Sequence, residues 1–470
     1  MIKMSKVLSR GLLPALLTAA LQAQAAVYYV AANGSDGANG SENSPFATIG
    51  QGISALSGGD TLIVRDGLYE GKANFIRNLP SGSPGNYTTV KAENPLAVRI
   101  RETGELNYVE EMVELEGSYM RADGFIIDLK NSATPPFIVK LGGDHLKLTR
   151  TIVKRGGELD PYGGLVNVDG SFNLVEDVAG VGVCRYCFFT GGPSDDDQYN
   201  IFRRVVGRFD YANSDQPKAT FATYGNNSGH NVHSSLYQNV IALDGNAVPI
   251  GNEKKYGGFY NPKNAKDVHY YGSMVLNEGT HHAGMFVQEQ QGMGTIVEHT
   301  VIWDLHGNNG ADGIRENGGG EQVFNHLTIG GNIPDDYVSQ IDGDGPSSSI
   351  IGGNPASLVD GGAQGATILY RYGKSGTVWG EEGYDQLTDE PLWPWPYEDK
   401  IKEVFAEPHQ PPGGYAPSSN ESVRGFTVAK DQFGQPMTLT RYIWQYLGEP
   451  VPASMYTAPA APTGLAATLN

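Results

Sequence analysis

Five short segments carry residue types that handle sugars. They are CRYCFFTGG (184–192), KATFATYGN (218–226), YGGFYNPKN (256–264), HAGMFVQEQ (282–290) and ADGIRENGG (311–319). Aligned, they place Phe188, Phe221, Phe259, Met285 and Ile314 in one apolar row. Side chains alternate along a strand, so if that row faces in, the next position faces out. That position holds Phe189, Ala222, Tyr260, Phe286 and Arg315; two further on stand Gly191, Tyr224, Pro262, Gln288 and Asn317. Aromatic faces stack on sugar rings, and an arginine fork binds carboxylate or sulfate. Phe189, Tyr224, Tyr260, Phe286, Gln288 and Asn317 are therefore the candidate substrate-binding residues. The alternative is that long loops fold over this face and bury the aromatics. A register slip of one residue would turn them all inward.

Two chemistries fit such a face, and the alternative to both is a non-catalytic cell-surface scaffold or adhesin. A lyase acting on a uronic polymer needs a base for the C5 proton and a cation for the carboxylate. Lys218, Tyr260, His281, His282 and Arg315 are the candidates. Calcium could supply the cation, held by Asp195, Asp196 and Asp197 or by Asp342 and Asp344. Neither group has the spacing of an EF-hand loop, and aspartates also serve simply as turn formers. A hydrolase needs two carboxylates flanking the bond, and Glu289, Asp312 and Glu316 fall on neighbouring repeats. Strands about 4.8 Å apart would bring Glu289 and Asp312 within range.

The elements that position these residues recur. A β-branched, apolar run follows an Asn, Asp or Gly turn about every 29 residues, from DTLIVRDG at Asp60 through TTVKAEN, HLKLTRTIV, FNLVEDV and YNIFRRVV to the run near Ser348. A period of this size predicts an all-β chain: a right-handed parallel β-helix solenoid of about eleven rungs. Such a solenoid stacks equivalent residues into long rows, which suit long polymers. Each rung reads as two linked strands.

The expected layout is a signal peptide (1–25), an N-terminal cap (26–59), the β-helix (60–360), a C-terminal cap or wrapping segment (361–456) and a linker (457–470). The leader has Lys3, Lys6 and Arg10, a short apolar core and an Ala23-Gln24-Ala25 cleavage pattern. It predicts export, to the medium or the cell surface. The cap contains a short helix between Phe46 and Leu56. The tail holds Trp379, Trp393, Trp395 and Trp444 and two stretches with helical spacing, 398–406 and 438–447. It reads as a cap around the last rungs, or alternatively as a tryptophan platform for sugars. The final residues are similar to the opening of a fibronectin type III module.

The net charge of −19 excludes nucleic acid and anionic membranes as direct partners, and no apolar run reaches the roughly 20 residues that span a bilayer. The row of aromatics and Arg315 makes an extracellular polysaccharide the expected partner. The only cysteines, Cys184 and Cys187, lack the context of a redox, haem or zinc site and read as thiols or a local bridge.

The start of the chain, YYVAANGSDG…SPFATIGQGISAL…GDTLIVRDGLYEG, resembles exported right-handed parallel β-helix proteins of the pectate-lyase-like superfamily. RYCFF, FRRVVGRFD and WPWP are also similar to bacterial surface β-helix proteins of undefined activity. The resemblance spans roughly 27–360 and implies the fold and a polysaccharide partner. No catalytic signature of a particular lyase family is present.

Overall fold

The computed structural model describes residues 25–340, apart from stretches between strands, together with 393–408 and 424–446. Residues 1–24, Trp379 and the 457–470 linker lie outside the described residues, and so do His281, His282, Asp195, Asp196, Asp342 and Asp344.

Short apolar strands coil into a parallel β-helix. Each full rung has three strands, such as Met120–Asp123, Phe125–Leu129 and Phe137–Leu141. Equivalent strands of successive rungs pair in parallel and in register. Thus Arg121, Lys147 and Leu174 form one row, and Ile126, Ile152 and Ala179 another. The three stacks are called here the first, second and third faces. Among the described residues the third contains nine strands, from Val113–Leu115 to Val338–Gln340.

The two-strand reading of a rung is corrected to three, for a local reason. First- and second-face strands are separated by one residue in the left-handed region: Arg150, Asp177, Arg204, Asn239 and His299 have φ between 49° and 55°. The chain bends there without a loop, so Leu174–Val183 and Ile201–Tyr211 each run over two faces. In sequence such a stretch reads as one strand. The left-handed region costs most side chains about 1 kcal/mol or more, offset here by stacking of the corners.

The core is a column of inward rows. Phe188, Phe221 and Phe259 stack with centroids 5.1 and 5.3 Å apart, and Phe202, Tyr237 and Tyr270 stack at 4.9 Å each. Tyr237 shares a hydrogen bond of 2.7 Å with Thr223 Oγ1, so its hydroxyl is satisfied inside the column. At the N-terminal end, Ile49–Ser54 is a helix whose Thr48 side chain accepts from Gln51 N at 3.2 Å. Its Ile49 and Ile53 are buried in the same core as Val30 and Leu62, closing the first rung.

The tail lies along the side of the solenoid. Outward residues of the second face are apolar over most of its length, from Ile126 through Ile152, Val181, Val206, Ile241 and Met274 to Trp303. They form one cluster with Trp393, Trp395, Phe405, Phe426, Ile443 and Trp444 of the tail. The helices Glu398–Ala406 and Leu439–Tyr446 are the main parts of this strap. The described tail residues thus wrap along one face as a strap, and the end of the solenoid beyond residue 340 lies outside the described residues. Trp393, Trp395 and Trp444 are 2–7% exposed, so they make no sugar platform.

Ion pairs fix the strap at its far end. Glu407 accepts from Arg99 at 2.8 Å and from Lys154 at 3.0 Å. Burial alone would raise the Glu407 carboxyl; the bonds from Arg99 and Lys154 outweigh it and bring it down to about 2. A carboxylate depressed on folding stabilises fully above its unfolded value, near 4.3, and less as pH falls towards the folded value. Unfolding monitored by tryptophan fluorescence should therefore show stability lost between about pH 4.5 and 2. Glu407→Gln should lower stability by about 2 kcal/mol at neutral pH and flatten that acid limb.

Candidate functional site

The predicted rows are present on the third face. Phe188, Phe221, Phe259, Met285 and Ile314 are in register and at most 1% exposed. Phe189, Ala222, Tyr260, Phe286 and Arg315 are in register beside them. They do not form an exposed platform. Ala222, Tyr260 and Phe286 are 0%, 5% and 3% exposed, in a cluster with Tyr186, Ala219 and Ala283 that is separate from the main core. The rings stack on each other along Phe137, Phe189, Tyr186, Tyr260 and Phe286, with centroids 5.3 to 6.2 Å apart. Register brings Tyr260 and Phe286, one rung apart, face to face, while the other rings reach each other along a strand or across the small residues Gly164, Ala219 and Ala222. Tyr224 alone of the candidate aromatics is exposed, at 37%.

The chemistry assigned to this face is mostly corrected. Tyr260 is no base at neutral pH, since burial pushes its phenol well above the ordinary value. Lys218 is 1% exposed and out of reach of a polymer. Arg315 Nε donates to Asp312 Oδ2, and Asp312 is wholly buried. Asp312 is in register with Ala283, a member of the outer cluster, although strict alternation from Ile314 would turn it inward. Alternation breaks here because the residues between the two outer positions, such as Cys187 and Phe188, both belong to the core.

The proposed carboxylate pair is also corrected. Glu289 stands opposite Gly318 and Asp312 opposite Ala283, six positions apart along the strands. At about 3.3 Å per residue that is about 20 Å, beyond the reach of paired glycosidase carboxylates. For Glu316, Gln288 and Asn317 the backbone register is defined: Glu316 faces Val287, and Asn317 faces Gln288.

Of the proposed calcium ligands, Asp197 is described and fully buried. Among the described residues, no group of three His, Cys, Asp or Glu is placed to hold a metal. Cys184 and Cys187 form a local disulfide with Cα atoms 5.3 Å apart. They flank the corner between Leu174–Val183 and Tyr186–Thr190 rather than lying within one strand.

A different set of groups gathers on the first face. Arg121 and Lys147 share one outward row, and Asp123, Thr149, Glu176, Arg203 and Gln238 share the next. Arg121 pairs with Asp123 at 2.9 Å and donates through Nε to Thr149 Oγ1 at 3.1 Å. Arg203 lies 3.5 Å from Glu176 and donates to Gln238 Oε1 at 3.2 Å. Lys147 is half-buried, and its Nζ sits 4.4 Å from the ring centre of Tyr87. Burial lowers its pKa; Arg121 and Arg203 lower it further, and Glu176 opposes them. A lysine whose pKa is lowered, in register beside a guanidinium group, supplies, once it has lost its proton, the base and the cation that proton abstraction beside a carboxylate needs.

The edge of this face is aromatic. Tyr119, His145, Phe172 and Tyr199 stack at 4.6, 5.0 and 5.3 Å, each with φ between 56° and 60° at the turn leading into its first-face strand. Further along, His269 Nε2 is 3.0 Å from Glu298.

No protein-family profile matches the chain, and no curated protein sequence matches it. Solved structures of parallel β-helix enzymes are similar in path. A rhamnogalacturonan lyase shares 12% identity over 80% of this chain and 98% of its own, with a TM-score of 0.39. The pectate lyase Pel9A shares 14% over 70% and 82%, at 0.37. A PL6-family polysaccharide lyase from Pseudopedobacter saltans shares 11% over 62% and 90%, at 0.36. Identities this low assign no residue of this chain, so its site is read from its own geometry.

The sequence reading missed Arg121, Lys147, Glu176 and Arg203. Their signal was present in the repeats YMRADGF, HLKLTRTIV, FNLVEDV and YNIFRRVV. Aligning those as the third-face segments were aligned puts basic and acidic residues into two rows.

Proposed function

We propose that this protein is an exported polysaccharide-binding enzyme that cleaves a uronate-containing polymer by β-elimination on its first face. One observation supports the reading: the half-buried Lys147 is in register with the partly exposed Arg121, and burial, Arg121 and Arg203 lower its pKa. Arg121, whose side chain is partly exposed, neutralises the uronate carboxylate and so acidifies the C5 proton; Arg203, 2% exposed, adds only its charge to the surroundings of Lys147. Lys147 Nζ accepts that proton. The electron pair forms the C4–C5 double bond, and the C4–O glycosidic bond breaks towards the leaving sugar. The stacked turn residues from Tyr119 to Tyr199 wall one side of the track, and Tyr87 holds the Lys147 amine in place.

Calcium bound by the aspartate groups remains the alternative cation. A non-catalytic surface scaffold is the competing reading, favoured by the burial of the third-face aromatics. The deciding experiment incubates the purified protein with a panel of uronate polymers, with and without Ca²⁺, and follows absorbance of the unsaturated product. Product from at least one polymer supports elimination. Retardation of the protein in polymer-containing gels without product would support the scaffold instead.

A further inference from the structure

We propose that the strap carries a second carbohydrate contact, an aromatic platform at Phe433 that stacks on a sugar ring of a neutral stretch of polysaccharide. Phe433 is 74% exposed, the most exposed large apolar side chain among the described residues. Its position is fixed by its turn. Asp431 Oδ1 accepts from Phe433 N at 2.9 Å and from Gln435 N at 2.8 Å, while Asp431 N donates to Gln435 O at 2.8 Å. Arg441 pairs with the other carboxylate oxygen, and Met437 N donates to Ala429 O at 3.0 Å to close the base. Gly434 completes the turn at φ 78°.

A turn this well bonded needs no aromatic at its tip, where a polar side chain would be better solvated. The backbone that carries the ring is fixed by these bonds, and an aromatic with two side-chain torsions is ordered on binding at low entropic cost. Gln432 and Gln435 are exposed beside it, with amides that both donate to and accept from sugar hydroxyls. No charged group joins Asp431 to Gln435 on the tip besides the Asp431 anchor, so the site fits a neutral ring rather than a uronate. The contrast with the third face is direct: Tyr260 and Phe286 spend their faces on each other, and Phe433 has no stacked ring among the described residues.

The inference rests on the reading that the ligand is a polysaccharide, not on the Lys147 chemistry. Native gels cast with hydroxyethylcellulose, with a neutral galactan and with polygalacturonate test it, comparing wild type, Phe433→Ala, Phe433→Trp and Lys147→Met. The expected result is retardation by a neutral polymer that falls at least fivefold in Phe433→Ala and is kept in Phe433→Trp and Lys147→Met. Elimination from short uronate oligomers should be unchanged in Phe433→Ala. Equal retardation of wild type and Phe433→Ala in every gel, or none for wild type in either neutral gel, overturns the proposal. So does a change in sedimentation coefficient caused by Phe433→Ala, which would make the ring a protein contact.

Discussion

Replacing Lys147 with Met should lower the rate of elimination by about 10²- to 10⁴-fold, the usual contribution of a positioned general base. Lys147→Arg should lose as much rate while keeping affinity for the polymer. Arginine preserves the positive charge in the row with Arg121 but stays protonated and cannot accept the proton. The split separates catalysis from binding. Arg121→Ala should instead weaken polymer binding first, because it removes a carboxylate contact and leaves Asp123 to Arg150 and Thr149 alone. Gel retardation and initial rates on the same polymer check all three variants. A Lys147→Met protein that retains more than a tenth of the wild-type rate would remove the base assigned here.

Phe405→Ala should be the most damaging change on the strap, lowering stability by about 3–5 kcal/mol. Phe405 is fully buried, 5.8 Å from Phe426 and 5.4 Å from the guanidinium carbon of Arg208. Arg208 is itself wholly buried; it pairs with Asp210 at 2.8 Å and donates to the Phe405 carbonyl at 3.0 Å. Truncating the ring opens a cavity and lets water reach a buried ion pair whose geometry depends on a dry site. Chemical denaturation measures the loss. Limited proteolysis tests its location: cleavage in the variant should begin within the strap, around residues 393–446, before the rungs are cut. Cleavage starting in the rungs would mean that the strap does not guard the second face.

The fold was legible because the solenoid repeats its physics. Each apolar run must bury one side against the next rung, so the period survives in the sequence, and the row from Phe188 to Ile314 could be aligned to the residue. The corners were not legible. Asp177 and Arg204 turn the chain through a left-handed residue that carries no glycine or proline signal, so two strands read as one. Orientation was recovered on the third face and exposure was not. Alternation shows that Tyr260 and Phe286 leave the core; it does not show that neighbouring rungs occupy their ring faces. The acidic candidates failed on register: Glu289 and Asp312 are close in repeat position but about 20 Å apart along the strand. Lys147 was missed because a single lysine in an apolar run looks like a solvated side chain until its row neighbours are known.

The central claim is that the Lys147 amine beside Arg121 takes the proton, and the pH dependence of elimination by the wild-type protein tests it most directly. An amine with a lowered pKa must lose its own proton before it can act. The initial rate of unsaturated product formation should therefore rise with pH and level off below about 10.4, the ordinary lysine value, with the Lys147→Met protein showing no such rise. A rate governed by a carboxylate, reaching its plateau near pH 4–5 and staying flat above it, would contradict the account.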